Sequence, residues 1–396
     1  MTSLMDYVWN TDQMMSWEII SKKKYDDLTF YHINLISHIW EHTVHVFVPS
    51  NIISDIVLLR VGSGTIGSDC IPDKMMHNIA IATNTVTAKL FSVPNQPIIF
   101  NDNESLIEDA AMAHSWYLYC EYDNPELLIN FPMVKSVVNA ITMLSEFCDI
   151  KRCVLMGASK RAQTIWLTAL IDKRVCAIIP LVFDTLNFQQ TLPRHKQWYD
   201  DINHPLDEYH RYDIFTLDNL EKLSIIDPYT YRDRIHIPKY IINSTGDKFF
   251  LPDSSNYYFH DISGTNLLLY ISNTCHDLHS LKTETICNFY QHIIHDIPFV
   301  TYEWKILRAC IHISLQSLPK KQTIWYAINP INRDFRLSTI GPNWKSIDLI
   351  ENENWKITYY PDCYELESLY RGPGYIAFYI EFEYMNITTS TGICIK

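Results

Sequence analysis

Apolar and polar positions follow two different patterns along the chain. Apolar runs at 42–48 and 56–61 predict strands, and the second run is apolar throughout, as expected for a strand buried on both faces. Amphipathic patterns predict helices at 105–119, 133–147 and 160–170. Strands that alternate with helices predict a mostly parallel sheet covered by helices on both faces, which is an α/β fold.

The alternation continues past the middle of the chain, with one interruption. Apolar runs predict strands at 153–156, 175–182, 239–243 and 267–271, with helical patterns after the last two. Residues 185–230 are aromatic, rich in histidine and irregular, unlike a strand–helix unit. We therefore expect an insertion there rather than a further part of the sheet.

The pattern changes near residue 300. Short alternating runs at 323–327 and 375–383 predict antiparallel strands. We predict an α/β domain over 1–300 and a C-terminal β-sandwich-like module over 301–396. Within that module, Arg333, Asp334 and Arg336 are expected to form a structural ion cluster.

Composition and charge narrow the function. Of 396 residues, 47% are hydrophobic and 19% are charged, which provides a large core and excludes general disorder. A net charge of −13 argues against a general nucleic-acid binder, because such proteins need a basic surface. Ten scattered cysteines without a C-x-x-C pair argue against a zinc site and a disulfide scaffold, so we expect no metal and no cofactor.

The N-terminal segment lacks the basic region followed by an apolar region that is typical of a classical signal peptide, and no apolar run is long enough for an expected membrane span. We expect a cytoplasmic protein, or one exported without a classical signal peptide as a secreted effector.

The segment VLMGASKRAQTIWL carries the first candidate for chemistry. Its strand–turn–helix layout is that of a nucleophile elbow, with Ser159 at the apex and the small Gly157 two residues before it. Arg161 occupies the place of the usual second glycine. The alternative interpretation is that Ser159 only caps the helix that follows.

Two later loops supply partners in the chain order that a serine hydrolase needs. Asp247 follows the strand KYIIN, and His276 follows the strand LLLYI. Asp247 is favoured because it lies directly at the end of its strand, and Asp184, Asp253 and His279 remain alternatives. In such a triad the imidazole takes the proton of the serine, and the carboxylate fixes the imidazole tautomer.

Backbone N–H groups are expected to bind the developing oxyanion. The N–H of Lys160 opens the helix after the serine, and the loop GSGTIG offers Ser63 or Gly64 as the second donor.

Charged residues near the elbow allow further interpretations. Glu108 and Asp109 could anchor a substrate amine, although an ordinary helix N-terminus is the favoured role. Lys160 and Arg161 could attract an anionic substrate, but Arg161 is more simply expected to hold a buried carboxylate or the elbow itself.

With these motifs in place, the chain resembles the PhoPQ-activated pathogenicity-related family, which is assigned to the α/β-hydrolase superfamily. The matching stretches are VPNQPIIF at 93–100, IEDAAMA at 107–113, FPMVKSVVNAI at 131–141, the block at 156–187, the block at 225–259, SNTCH at 272–276, IWYAINPINRDFR at 324–336 and GPGYIAFYIEFEY at 372–384. Together they cover nearly the whole chain.

The resemblance implies a serine hydrolase that cleaves an ester or amide bond of a small molecule or peptide through Ser159, Asp247 and His276. It also implies a cap at 185–230 and a link to bacterial virulence. The family elbow ends in Gly where this chain has Ala162, and Gln163 and Asp277 replace a Trp and a Ser.

These departures leave a second interpretation open, in which an inactive hydrolase-fold protein acts as a binding or signalling factor. A protein partner would then be expected at the C-terminal module.

Overall fold

The computed structural model describes residues 3–9, 14–68, 70–100, 104–199, 206–350, 354–360 and 363–396. The strands are β1 (Met15–Lys24), β2 (Leu28–Ser37), β3 (Trp40–Pro49), β4 (Ile56–Val61), β5 (Thr87–Leu90), β6 (Ile98–Ile99), β7 (Ser105–Leu106), β8 (Arg152–Ala158), β9 (Val175–Leu181), β10 (Lys239–Ser244), β11 (Asn266–Ile271), β12 (Tyr302–Leu307), β13 (Cys310–Leu315), β14 (Lys321–Asn329), β15 (Lys345–Asp348), β16 (Trp355–Tyr359), β17 (Tyr364–Ser368), β18 (Tyr375–Glu383), β19 (Thr388–Ser390) and β20 (Cys394–Ile395).

The helices are α1 (Leu4–Trp9), α2 (Lys74–Thr83), α3 (Glu108–Tyr122), α4 (Asn130–Cys148), α5 (Lys160–Ile171), α6 (Phe188–Trp198), α7 (Asp207–His210), α8 (Leu217–Lys222), α9 (Thr283–Ile294) and α10 (Leu337–Ile340). Short 3₁₀ helices occupy Pro125–Leu127, Leu223–Ile226, Pro228–Arg234, Ser254–Tyr257 and Phe259–Asp261. Within the described ranges, no helix combines the length and apolar character that a membrane span requires.

The chain divides into two compact units. Unit 1 contains residues 1–181 and 206–239, and unit 2 contains residues 182–205 and 240–396. These units are defined by contacts within each of them, and the domain boundary expected near residue 300 stays a prediction.

The sheet of unit 1 has the strand order β1-β2-β3-β5-β4-β8-β9. Strands β5, β4, β8 and β9 pair in parallel, which confirms the parallel core expected from the strand–helix alternation. Strands β1, β2 and β3 add an antiparallel extension that ends at β5. In the parallel core, Val61 of β4 lies opposite Gly157 of β8, so these two strands end at the same level.

Unit 2 contains the neighbouring strands β10 and β11 and two antiparallel sheets, as expected for the C-terminal part of the chain. One sheet has the order β12-β13-β17-β16, and the other has the order β15-β14-β18-β19 with β20 on β18. Aromatic rings join the sheets, because Trp355 of β16 lies 5.6 Å from Tyr326 and 5.2 Å from Phe378 between ring centroids.

Three local features differ from the sequence-based expectations. The helix expected over 105–119 begins at Glu108, because Ser105–Leu106 instead pairs with Ile98–Ile99. After β10, two 3₁₀ helices stand where a longer helical pattern was expected. Strands β1 and β2 were not predicted, and β1 is exposed along almost its whole length.

Candidate active site

Ser159 lies at a sharp turn between β8 and α5. Its φ of 56° and ψ of −127° fall in a region that residues other than glycine rarely adopt. Its side chain makes no capping hydrogen bond to α5, which removes helix capping as its role. A strained serine whose hydroxyl does not cap the helix has the features of a nucleophile elbow.

The turn depends on close contact between β8 and α5. A Cβ at position 157 would lie 2.6 Å from the carbonyl oxygen of Arg161, so only glycine fits there. The N–H of Ser159 donates to the carbonyl of Leu181 at 2.9 Å, which ties the turn to the end of β9. Ala162, in the place of the family glycine, is fully buried at this contact.

The loop after β4 begins beside the elbow, because Val61 lies opposite Gly157. The carbonyl of Ser63 accepts a hydrogen bond from the N–H of Ser92 at 3.3 Å. Gly64 has a φ of +149°, and a Cβ there would lie 2.8 Å from the hydroxyl of Ser92. Ser92 thus packs closely against the loop, and the role of the loop as an oxyanion donor with Lys160 stays a prediction.

Glu108 is the centre of an ionic cluster under the elbow. Its Oε1 accepts hydrogen bonds from Arg161 Nη2 at 2.7 Å and from Gln96 Nε2 at 2.8 Å. Its Oε2 accepts from Lys160 Nζ at 2.8 Å and from Arg161 Nη1 at 3.0 Å. Burial alone would raise the pKa of Glu108, but the hydrogen bonds and charges of Arg161 and Lys160 hold it well below its usual range.

The contacts within this cluster distinguish between the roles considered above for the charged residues near the elbow. Both oxygens of Glu108 are occupied, and Asp109 contacts Lys160 at 3.2 Å and Tyr209 at 3.2 Å. These carboxylates are therefore engaged within the protein rather than open to a substrate amine. Arg161 holds a carboxylate, as expected, and its Nε also donates to the carbonyl of Val93 at 2.6 Å.

Gln163 replaces the tryptophan of the family elbow and has its own packing role. Its Nε2 donates to the carbonyl of Ile226 at 2.9 Å, and its Oε1 accepts from Asn130 Nδ2 at 3.0 Å. Asn130 in turn accepts a hydrogen bond from Trp116 at 2.9 Å. Through Asn130, the Gln163 side chain thus links α5 to α4 and α3, while its backbone N–H donates to the carbonyl of Ser159 at 3.2 Å.

In unit 2, the structure brings Asp247 and His276 together. The imidazole Nδ1 lies 2.9 Å and 3.1 Å from the two carboxylate oxygens of Asp247. The carboxylate also accepts the N–H of Phe249 at 2.7 Å, and its side chain is 5% exposed against 16% for His276. An Nδ1–H that donates to the carboxylate leaves Nε2 as the imidazole acceptor, which is the tautomer a general base needs. Ser159 belongs to unit 1, and its pairing with His276 stays a prediction.

Asp184, the first alternative acid, is bound elsewhere. Its two oxygens accept the hydroxyls of Tyr258 at 2.6 Å and Tyr270 at 2.8 Å. Burial raises the pKa of Asp184 to about 8, although the two tyrosine hydrogen bonds act in the opposite direction. Asp184 is thus a buried carboxyl group held by tyrosines and not by an imidazole.

Asp253 and His279 are also committed to other partners. Asp253 pairs with Arg194 of α6 at 2.9 Å and with Arg333. The ion cluster expected for Arg333, Asp334 and Arg336 is therefore wrong for Arg333, which pairs with Asp253 instead. Arg336 and Asp334 pair at 2.6 Å, as expected.

Asp277 directly follows His276 in the chain, so its carboxylate could contact the imidazole of His276. Its carboxylate lies 3.2 Å from the ring Nδ1 of His279 and also accepts the N–H of His279 at 3.2 Å. Burial alone would raise the pKa of Asp277, but the hydrogen bonds from His279 hold it below its usual value. His279 is thus the imidazole that Asp277 contacts.

The loops that carry Asp247 and His276 are held by the C-terminal part of unit 2. The carbonyl of Gly246 accepts the N–H of Leu337 at 3.1 Å. The side-chain amide of Asn273 exchanges two hydrogen bonds with the backbone of Trp344, both at 2.9 Å. Sequence patterns gave no signal for these contacts, because the partners lie about seventy to ninety positions apart.

Among the described residues, no group of three or more His, Cys, Asp and Glu side chains is arranged to hold a metal ion.

Comparisons with known proteins place these features in a family. The model of the PhoPQ-activated pathogenicity-related protein matches residues 4–336. Autocrine proliferation repressor protein A of Dictyostelium discoideum is 28% identical over 97% of this chain and 86% of its own length. An acetyl xylan esterase from Paenibacillus sp. R4 superimposes with a TM-score of 0.53 at 12% identity, over 73% of this chain and 91% of its own. At that identity the likeness concerns the fold alone, and it confirms the α/β-hydrolase fold class.

Proposed function

Because the chain belongs to the PhoPQ-activated pathogenicity-related protein family, as the match over residues 4–336 establishes, we propose that it is a serine hydrolase that cleaves an ester or amide bond. The observation that carries this proposal is the strained backbone of Ser159, whose hydroxyl does not cap the following helix. The contact between Asp247 and His276 supports it, because an Nδ1–H that donates to this carboxylate leaves Nε2 to accept the serine proton.

The reaction proceeds through an acyl-enzyme. Nε2 of His276 removes the proton of Ser159 as the hydroxyl oxygen attacks the substrate carbonyl. The N–H of Lys160 and one from Ser63 or Gly64 bind the oxyanion of the tetrahedral intermediate. The imidazolium, stabilised by Asp247, protonates the leaving group, and water then repeats the sequence to release the acid.

A fluorophosphonate probe tests this proposal. We expect it to label the wild-type chain and not the Ser159→Ala variant. Ser21→Ala, on the exposed strand β1, is the matched control and should be labelled like the wild type. A folded wild-type chain that reacts with no fluorophosphonate would refute the hydrolase proposal.

A binding or signalling protein is the second candidate. The relative named for autocrine repression of proliferation favours it. If this candidate is correct, Ser159→Ala keeps the full biological effect of the chain on cells, whereas a hydrolase loses it. A role in virulence, export without a signal peptide and a cap formed by residues 185–230 remain predictions.

A further inference from the structure

Unit 1 contains a polar cavity of about 330 Å³ that the proposed reaction does not explain. Side chains with hydroxyl, amide or carboxylate groups line much of it, and those used below are Asn34, Glu41, Thr43, Thr65 and Ser92. This volume lies at the low end of the range for small-molecule sites, where one sugar-sized group would fit.

The cavity lies at the edge of the sheet where the parallel strands end. Val61 of β4 is opposite both Leu90 of β5 and Gly157 of β8, so the three strands end together. Strand β3 runs antiparallel to β5 and pairs Val44 with Leu90, so Thr43 lies at the same edge. Nucleophiles and ligands of open α/β sheets gather at this edge.

The cavity also borders the loop expected to bind the oxyanion. Thr65 belongs to that loop and follows Gly64 directly, and the Ser92 hydroxyl lies 2.8 Å from where a Cβ of Gly64 would be. The N–H of Ile66 donates to the carbonyl of Gln96 at 2.8 Å, and Gln96 also binds Glu108. The cavity wall is thus tied to the same ionic cluster as the elbow.

The chemistry of the lining indicates which group would bind. Asn34 Nδ2 donates to Glu41 Oε1 at 2.8 Å, which places a carboxylate beside the hydroxyl groups. His42 also lines the cavity, but its ring nitrogens contact the Phe91 carbonyl at 3.0 Å and Ser136 at 2.9 Å, and burial lowers its pKa to about 4. Among the described residues that line the cavity, none is a lysine or arginine, so an anion finds no counter-charge.

We propose that this cavity binds a neutral polyhydroxylated part of the substrate, such as a sugar ring that carries the ester. Hydroxyl groups both donate and accept hydrogen bonds, so Thr43, Thr65 and Ser92 match a ligand with the same property. The proposal rests on the proposed hydrolase function, because it assigns a substrate class to that site.

The experiment compares glucose 6-acetate with cyclohexylmethyl acetate, which is also the ester of a primary alcohol on a six-membered ring but has no hydroxyl groups, so the two leaving groups are of the same kind. We expect kcat/KM of the wild type to favour the sugar ester. Thr43→Val should lower the ratio of the two kcat/KM values about 3- to 10-fold, the effect of one lost neutral hydrogen bond. Thr29→Val changes the same residue type on β2 at a position that does not line the cavity, and should leave the ratio unchanged.

A binding measurement separates this proposal from the hydrolase proposal. Saturation-transfer NMR should detect glucose 6-acetate on Ser159→Ala, and the Thr43→Val change in that background should weaken the signal. If no ester is cleaved but this binding holds, the hydrolase function fails and the subsite stands.

Two results would overturn the subsite. In one, cyclohexylmethyl acetate is cleaved as well as the sugar ester, and Thr43→Val leaves the ratio of their kcat/KM values unchanged. In the other, acetylcholine is the preferred ester and Glu41→Gln abolishes that preference, which would make the cavity a cation site.

Discussion

Replacing Glu108 with glutamine should destabilise unit 1, because it removes the carboxylate that pairs with both Lys160 and Arg161. The two basic side chains are only 7% and 9% exposed, so each would keep a charge with poor access to water. Breaking a buried ion pair on one side costs about 3–5 kcal/mol, whereas exposed pairs are worth about 0–1 kcal/mol. Glu108 is 34% exposed, and Asp109 still contacts Lys160 at 3.2 Å, so an intermediate loss of about 2 kcal/mol is expected.

The loss of unfolding free energy in Glu108→Gln should be larger at neutral pH than in acid. The pKa of Glu108 is depressed in the folded state, so the ion pairs stabilise the fold fully above the unfolded pKa of about 4.3. That stability is lost progressively as the pH falls below this value, because protons then favour the unfolded chain. The gap in unfolding free energy between wild type and Glu108→Gln should therefore be largest at pH 7 and smaller at pH 3.

Thermal unfolding followed by circular dichroism at the two pH values measures this gap. A loss of about 2 kcal/mol corresponds to a Tm decrease of about 4–8 °C for a unit of roughly 200 residues. Glu121→Gln makes the same change at an exposed position of the same helix and should leave Tm within about 1 °C. Equal Tm values for the two variants at pH 7, or a gap that does not shrink in acid, would refute the reasoning.

Three further predictions concern single side chains. Asp247→Asn should lower kcat about 10⁴-fold through loss of tautomer control, and full activity in this variant would show that another carboxylate acts. Gly157→Ala should cost about 3 kcal/mol or more, because its Cβ would lie 2.6 Å from a backbone oxygen of Arg161, and a normal urea midpoint would contradict this. Asp184 has a pKa raised to about 8, so wild-type stability should fall as the pH rises from about 4 to 8, while Asp184→Asn should give a flatter curve of urea midpoints.

Strands β4, β8 and β9 of the parallel core could be predicted from the sequence, because each contains a continuous apolar run. Strand β5 (Thr87–Leu90) was not predicted, because its sequence TAKL is short and partly polar. Strand β4 begins and ends where the apolar run at 56–61 does. Strand β1 could not be predicted, because its exposed segment MSWEIISKKK lacks a buried face and its pairing with β2 defines it. The hydrophobic pattern of a single strand does not show which other strand it pairs with.

Of the candidate site, too, some residues could be predicted from the sequence and others could not. The positions of Asp247 and His276 followed from chain order and strand ends, and the structure places their side chains 2.9 Å apart. The role of Glu108 could not be derived, because its partner Arg161 lies 53 positions away and their contact depends on how α3 packs on α5. An acidic residue at a helix N-terminus has an adequate local explanation, so the local pattern did not indicate a distant partner for Glu108.

The contacts of Gly246 and Asn273 with residues 337–344 have a consequence for how the protein would lose activity. If the C-terminal segment opens locally, the amide protons of Leu337 and Trp344 become exchangeable, and the loops that hold the Asp247–His276 pair lose backbone partners at the same moment. Heat inactivation would then follow the opening of a segment that contributes no proposed catalytic group, before the parallel sheet unfolds. A chain shortened at residue 300 would likewise keep its proposed nucleophile, acid and base but hold two of them on unsupported loops.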